Sequence, residues 1–340
     1  MKLHTKQAKS RVELADALHV GGVVLRNRVF LAPMSGVSDL PFRQLAWQAG
    51  AGMVVSEMVA SAELCTRERG NLLRLKGDGL GTHVVQIAGR EPRWMAEAAR
   101  IAEGEGAHIV DINMGCPARK VTGGLSGSAL MRDLDHAMTL IEATISAVYV
   151  PVTLKMRLGW DDATINAPEL AARAEQAGVK MVTVHGRTRC QFYEGRADWH
   201  AIRAVKEAIS IPLVANGDVL NRDDAEAILA ASGADAVMVG RGSYGQPWLP
   251  GSIVNGKGAE SDIIADYAVA HYEAMLAHYG ETTGSRHARK HLGWYLDRHG
   301  FDITANERGA IMTETNPGHV SRLLYAALSR GGSTDMKKVA

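Results

Sequence analysis

Cys116 stands in the run Ile112-Asn113-Met114-Gly115-Cys116-Pro117, just past an apolar, β-branched stretch, in a chain with three cysteines. The flanking glycine and proline favour a fixed, irregular loop. Asn113, three residues earlier, can hydrogen-bond a planar heterocycle. A lone cysteine is more often a small buried hydrophobe. In this loop it has a second reading: an unperturbed thiol stays protonated at neutral pH, which suits a proton donor rather than a nucleophile. Four more polar clusters follow apolar stretches: Lys155-Met156-Arg157, His185-Gly186-Arg187, Asn216-Gly217-Asp218 and Gly240-Arg241-Gly242. In the last, small residues let backbone N–H groups approach a phosphate while Arg241 adds a bidentate contact. Asn216-Gly217-Asp218 is its natural neighbour in a phosphate site, although a lone glycine after a strand more often marks a turn. A buried lysine is costly unless paired. Lys155 therefore faces either an anionic or polar ligand or a carboxylate such as Asp111 or Asp218. Gln86 offers an amide to a pyrimidine edge, or sits satisfied in a core. His185 contacts a ligand or caps its strand. Together these groups suit a phosphate joined to a planar ring, as in a flavin.

Such residues need a scaffold that gathers strand ends. Eight apolar segments recur, at residues 29–32, 53–56, 83–88, 108–112, 152–156, 181–185, 213–215 and 236–239. Most are spaced by about 25–30 residues, one strand-plus-helix unit. They are continuous rather than alternating, as for parallel strands covered by helices. Gly52, Gly106, Gly178 and Gly233 punctuate the step from helix to strand. The pattern predicts an α/β fold, a TIM (β/α)8 barrel with its chemistry at the C-terminal strand ends. An open doubly wound sheet shares the same pattern. Residues 20–28, with Gly21-Gly22, read as a hairpin under the barrel's bottom. Residues 1–250 form the barrel domain on this reading. After Trp248 the pattern changes: residues 251–261 read as a Gly-rich linker. A small all-α helical domain follows over 262–340, with helices near 262–279, 286–299 and 319–330. Six of the thirteen histidines fall there.

The formal net charge is +1 over 340 residues, so no global field steers the chain to nucleic acid or membrane. Any RNA contact must use a local basic patch. Cys65, Cys116 and Cys190 show no zinc or C-x-x-C spacing, and scattered thiols point to a reducing compartment. No apolar run reaches a membrane span. Residues 1–18 lack the apolar core of a signal peptide. The expectation is a cytoplasmic protein with no metal site.

The chain resembles the tRNA-dihydrouridine synthase family, in particular its bacterial DusB-like subgroup. The resemblance rests on Ala32-Pro33-Met34-Ser35-Gly36-Val37-Ser38-Asp39, Pro41-Phe42-Arg43, Val55-Ser56-Glu57-Met58 and Val85-Gln86-Ile87-Ala88-Gly89. It continues through the cysteine run, residues 154–159, His185-Gly186-Arg187-Thr188-Arg189, Asn216-Gly217-Asp218, Gly240-Arg241-Gly242 and Arg289-Lys290-His291 before Trp294-Tyr295. It spans nearly the whole chain. Ser35 and Gly242 stand where many relatives carry alanine, and neither change removes a needed group.

The resemblance implies FMN-dependent reduction of uridine in tRNA to 5,6-dihydrouridine, with NADPH (or NADH) as reductant. Pro33, Met34 and Ser35 would line the flavin, and Gln86, Lys155 and His185 would meet its ring. Asn216, Gly217, Asp218, Gly240 and Arg241 would hold ribityl and phosphate. Hydride would pass to uracil C6 and the Cys116 proton to C5. The target base must be turned out of its stack to reach the mouth. Asn113, Arg157, Arg187, Arg289 and Lys290 would contact substrate. Arg119-Lys120 and Arg189 add charge, and Trp160, Phe192 and Tyr193 offer rings for loop bases. On composition alone the basic helical face around Arg289 reads as a solvated surface. The expected partner is the D-loop region of tRNA, bound by a monomer with no obligate protein partner. Two rivals remain at this stage. One is an FMN barrel that reduces a free small molecule, dihydroorotate-dehydrogenase-like or an ene-reductase. The other is a non-enzymatic RNA-binding protein on a retired barrel.

Overall fold

Gly21 and Gly22 make the turn between β1 (Leu18–Val20) and β2 (Val23–Leu25), an antiparallel pair with Leu18 opposite Leu25. The computed structural model of the chain describes residues 12–257 and 261–330. Gly21 has a left-handed φ of +58°, and a Cβ there would sit 2.9 Å from Pro151 Cγ. Glycine is thus required both by the turn and by its close approach to the barrel. Leu18, Val20 and Leu25 pack on Val84, Ile109, Met181 and Ala236, the first residues of four barrel strands. The hairpin therefore plugs the N-terminal end, as its sequence suggested.

Above it run β3 (Val29–Leu31), β4 (Met53–Val54), β5 (Val59–Ala60), β6 (Val84–Ala88), β7 (Ile109–Met114), β8 (Val152–Arg157), β9 (Met181–His185), β10 (Leu213–Asn216) and β11 (Ala236–Val239). All pair in parallel, in the order β4-β3-β11-β10-β9-β8-β7-β6-β5. Val55 bridges Val84, and Ser56 N–H donates to Val84 O at 3.0 Å. That bridge joins the two sheet edges, so the sheet is a TIM-type barrel and the open-sheet alternative falls. The strand expected at 53–56 ends early, and a short strand that was not anticipated follows it. Residues 53–54 pair with β3 and residues 59–60 with β6, leaving Ser56-Glu57-Met58 between them.

The covering helices are α1 (Leu40–Gln48), α2 (Ser61–Leu64), α3 (Arg69–Leu75), α4 (Pro92–Gly104), α5 (Arg119–Thr122), α6 (Leu134–Ile145), α7 (Ala167–Ala177), α8 (Ala201–Ala208), α9 (Arg222–Ser232) and α10 (Leu249–Asn255). Apolar residues at helical spacing turn inward. In α4 these are Met95, Ala98, Ala99, Ile101 and Ala102, and burying a side chain the size of Ile101 or Met95 stabilises by about 1.5–3 kcal/mol. Gly178 and Gly233 end α7 and α9 in the left-handed conformation.

The expected linker, 251–261, is corrected by α10, which carries helix through Asn255. A Cβ on Gly251 would lie 1.8 Å from Ala49 O, so glycine lets α10 press on the end of α1. Residues 258–260 of that stretch, and 1–11 and 331–340 of the proposed domains, lie outside the described residues. The helical region comprises α11 (Ser261–Tyr279), α12 (Glu281–His299), α13 (Ala305–Thr313) and α14 (Pro317–Leu328). Helix α13 was not anticipated. Its signal was the capping box between Thr304 and Glu307. Tyr272, Met275, Leu292, Tyr295 and Leu324 form the core of this region. It meets the barrel where Trp294 stacks on Tyr244, ring centroids 4.0 Å apart, and where His299 Nε2 donates to Gly245 O at 2.9 Å. No helix among the described residues is long and apolar enough to cross a membrane.

Candidate active site

The C-terminal ends of the barrel strands surround a cavity of about 620 Å³. Pro33, Met34 and Ser35 line it from the loop after β3, Gln86 from β6, and Asn113 and Cys116 from the end of β7. Lys155 and Arg157 enter from β8, and His185 from β9. Asn216, Gly217 and Asp218 come from the end of β10, and Gly240 and Arg241 from the end of β11. The strands thus bring together every residue predicted for the cofactor, with Cys116, Asn113 and Arg157 among them. Lys120, Tyr193 and Tyr244 share the wall. Tyr244 was missed, although it lies just beyond the Gly240-Arg241-Gly242 cluster.

The cysteine loop is held from several sides. Asn113 Oδ1 accepts from Cys116 N–H at 3.0 Å and Gly115 N–H at 3.2 Å. Cys116 O accepts from Ser128 Oγ at 2.8 Å. Gly127, at φ +60°, passes so close that a Cβ would sit 2.8 Å from Cys116 O. Burial pushes the Cys116 thiol above its ordinary pKa, against the opposing pull of a backbone N–H at Ala118 and the charges of Arg157 and Lys155. The thiol therefore keeps its proton at neutral pH.

A polar chain crosses the cavity floor. Thr153 Oγ1 donates to Asp111 Oδ1 at 2.6 Å and Gln86 Nε2 to Asp111 Oδ2 at 2.7 Å. Asn113 Nδ2 donates to Gln86 Oε1 at 2.7 Å. Gln86 is thus both satisfied within the core and exposed to the cavity, so its two readings coexist. Asn113 spends its amide on Gln86 and on the cysteine loop, and its role here is to position Cys116. Lys155 Nζ donates to Asn216 Oδ1 at 3.1 Å. Neither Asp111 nor Asp218 takes it as a direct ion-pair partner: the first is engaged by Thr153 and Gln86, the second by arginines. Burial, with Arg157 adding repulsion, lowers the Lys155 ammonium to about 8. His185 is held well below its usual value by burial and by the surrounding Arg157, Lys155, Arg187 and Arg241, so it is neutral. Its Nε2 accepts from Arg187 Nη1 at 3.2 Å.

Two predicted substrate arginines lie inside the scaffold. Arg187 is 1% exposed. It grips Asp218 through two bonds of 3.0 and 2.7 Å and donates to Glu194 O and Gly195 O. Arg157, equally buried, donates to Gly115 O at 2.9 Å and to Thr188 O and Phe192 O at 2.7 Å. It ties the cysteine loop to the loop after β9. Burial works to raise Asp218, yet Arg187, the Ala197 N–H and Arg241 together hold its carboxyl below the usual range. Arg289 points away from the cavity, to Glu314 O at 3.4 Å. Lys290 reaches the loop at Gly36 instead. Phe192 and Tyr193 are both 41% exposed beside the mouth, and Arg241 lies 4.7 Å from the Tyr193 ring centre. Trp160 lies between Arg132 and Arg189, at 4.3 and 4.7 Å.

Comparison with known proteins agrees with this geometry. The dihydrouridine synthase family model matches residues 30–327. This chain belongs to the dihydrouridine synthase family. A protein of Rhizobium leguminosarum bv. phaseoli named probable tRNA-dihydrouridine synthase is 61% identical over 90% of this chain and 97% of its own length. The tRNA-dihydrouridine synthase B of Pseudomonas putida is 44% identical over 83% of this chain and 86% of its own. Morphinone reductase superposes with a TM-score of 0.58 at 15% identity, covering 75% of this chain and 92% of that enzyme. That last likeness is one of fold. Membership in the family makes the chain an enzyme, and the non-enzymatic rival falls.

Proposed function

We propose that this enzyme reduces uridine in the D-loop region of tRNA to 5,6-dihydrouridine, with FMN held in the strand-end cavity and NADPH as reductant. One observation carries the reading: a protonated thiol, Cys116, shares one cavity with a buried lysine and a glycine-arginine phosphate cradle. The cavity suits a cofactor in size. At Gly240 even an added Cβ would reach Ala32 Cβ and Met34 Sδ only at 3.8 and 4.0 Å, so a ligand phosphate can approach the backbone there. Gly217, at φ +130°, leaves no room for a side chain, because a Cβ would sit 2.6 Å from Ala197 Cβ. Asn216, Gly217, Asp218, Gly240 and Arg241 would hold the ribityl phosphate. Gln86, Lys155 and His185 would border the ring, and Pro33, Met34 and Ser35 would line it.

A flavin held by these residues would supply hydride chemistry at uracil C6. Negative charge then develops at C5 and O4 of the substrate. Cys116 Sγ–H gives its proton to C5 and completes the saturated bond. Lys155, mostly charged at pH 7, offsets negative charge over the cavity floor. The neutral His185 leaves that role to the lysine. Lys120 and Arg119 would meet phosphates at the mouth, Lys290 would contact the RNA beside it, and Phe192 and Tyr193 would face loop bases. The chain would act as a monomer in the cytoplasm, its helical region orienting the tRNA.

Mass spectrometry of dihydrouridine-free tRNA, incubated with the enzyme, FMN and NADPH, tests the proposal. The expected product is two mass units heavier at a defined D-loop uridine. A flavin-loaded enzyme that oxidises NADPH but leaves tRNA unchanged would instead favour a free small-molecule substrate.

A further inference from the structure

A second cavity, of about 730 Å³, opens between the barrel and the helical region. Ser35, Met58, Lys120 and Val121 line both cavities, so the two are contiguous. Two buried carboxylates meet there. Asp39 is committed to structure: it accepts from Phe42 N–H at 3.1 Å, capping α1, and from the Tyr279 hydroxyl. Glu57 differs. It lies in the break between β4 and β5, is 8% exposed, and braces Gly36 N–H with Oε1 while bordering the cavity. Lys290, from α12, brings its ammonium within 3.1 Å of the position a Cβ on Gly36 would take, beside the same loop. Donor and acceptor thus both face the loop at Gly36 from this cavity. Lys120 adds a second cation to the wall, while burial and the neighbouring Lys290 and Arg286 lower the His287 pKa.

A nucleobase edge that matches must carry an acceptor next to two donors. Guanine alone among the four bases has this edge, with O6 beside N1–H and the N2 amine. Uracil places its single donor between acceptors, and cytosine and adenine lead with one amine beside ring acceptors. We propose that this second cavity binds a guanine nucleotide adjacent in the RNA to the uridine that enters the first. Glu57 receives N1–H and N2–H, and Lys290 donates to O6. Lys120, on the wall between the cavities, neutralises the phosphate that links the two nucleotides. The inference rests on the uridine-reductase reading above and adds a sequence preference to it.

The test uses the full-length, FMN-loaded enzyme and tRNAs assembled by ligation. The nucleotide on each side of the reduced uridine is varied among guanosine, inosine, which lacks the N2 amine, and 2-aminopurine riboside, which lacks O6 and with it the N1 proton. The readout is kcat/KM for dihydrouridine formation. On one side, guanosine is expected to exceed inosine by roughly tenfold, as for loss of one bond of a base-reading pair. Glu57→Gln should reduce that ratio towards one. Lys290→Met should narrow the ratio of guanosine over 2-aminopurine to the part owed to the missing N1 proton, which keeps the test open if the Glu57 variant folds poorly. Equal rates for all three bases on both sides, or ratios unchanged in both variants, overturn the guanine site and leave the enzyme's reaction standing. No product from any tRNA overturns the reaction itself, and the site with it.

Discussion

A proton donor works only while it still holds its proton, and burial secures this for Cys116. Cys116→Ala is expected to lower dihydrouridine formation by about 10²–10⁴-fold, with flavin content unchanged by absorbance. Lys155 carries a different signature. Its ammonium, brought down to about 8, loses its charge as pH rises through that value. An anionic ligand should therefore bind less tightly above pH 8 than at pH 7. Flavin fluorescence titrations between pH 6.5 and 9.5 should show that loss, and Lys155→Met should flatten it. Asp39 sets the pH dependence of the fold. Burial, reinforced by Glu57, pushes its carboxyl up to about 7, although the Phe42 N–H pulls the other way. Between about pH 4 and 7 the folded state then holds a proton that the unfolded chain has released. Stability contributed at this position is greatest at acid pH and falls as pH rises through that window. Asn keeps the cap but cannot ionise. Asp39→Asn is expected to raise Tm at pH 8 more than at pH 5.

At the scale of elements, Arg157 determines how the loops of the mouth sit relative to one another. Its guanidinium satisfies carbonyls at Gly115, Thr188 and Phe192, which no single stretch of sequence contains. Arg157→Met leaves these acceptors without their donor and should destabilise by roughly 3 kcal/mol, read as a shifted urea midpoint. Dihydrouridine formation should fall with it as the cysteine loop loosens. The same residue shows where sequence reading stops. An arginine one position past an apolar strand looks like a hand held out to RNA; its burial follows from carbonyls gathered by two distant loops. Arg187 misled for the same reason, since Asp218 is its partner only through the fold. The strands were legible because both faces are buried and the runs are continuous. The break at Ser56-Glu57-Met58 was not, because nothing local announces a strand that changes neighbours. Helix α10 hid behind Gly251, which reads as flexible yet is there so that Ala49 O can approach.

Across the whole molecule, charge is balanced overall and uneven locally, so RNA affinity must come from a few cations near the mouth. The logarithm of the tRNA Kd is expected to rise linearly with the logarithm of salt concentration, with a slope that drops by about one when Lys120 is replaced by Ala. The seam between barrel and helices rests on the Tyr244–Trp294 stack and on His299 and Arg298 reaching the Tyr244-Gly245 backbone. Trp294→Ala should weaken tRNA binding in filter assays while the barrel keeps its flavin, because the helical region loses its bearing on the mouth. Finally, the hairpin of Leu18, Val20 and Leu25 fills the N-terminal end of the barrel, which puts the doorway at the C-terminal strand ends. On the proposed reaction, a nicotinamide and a tRNA that both reach the flavin ring through that doorway would have to take turns. Initial-velocity plots at several fixed NADPH concentrations should then give parallel lines, and excess NADPH should slow the enzyme by standing where the RNA needs to enter.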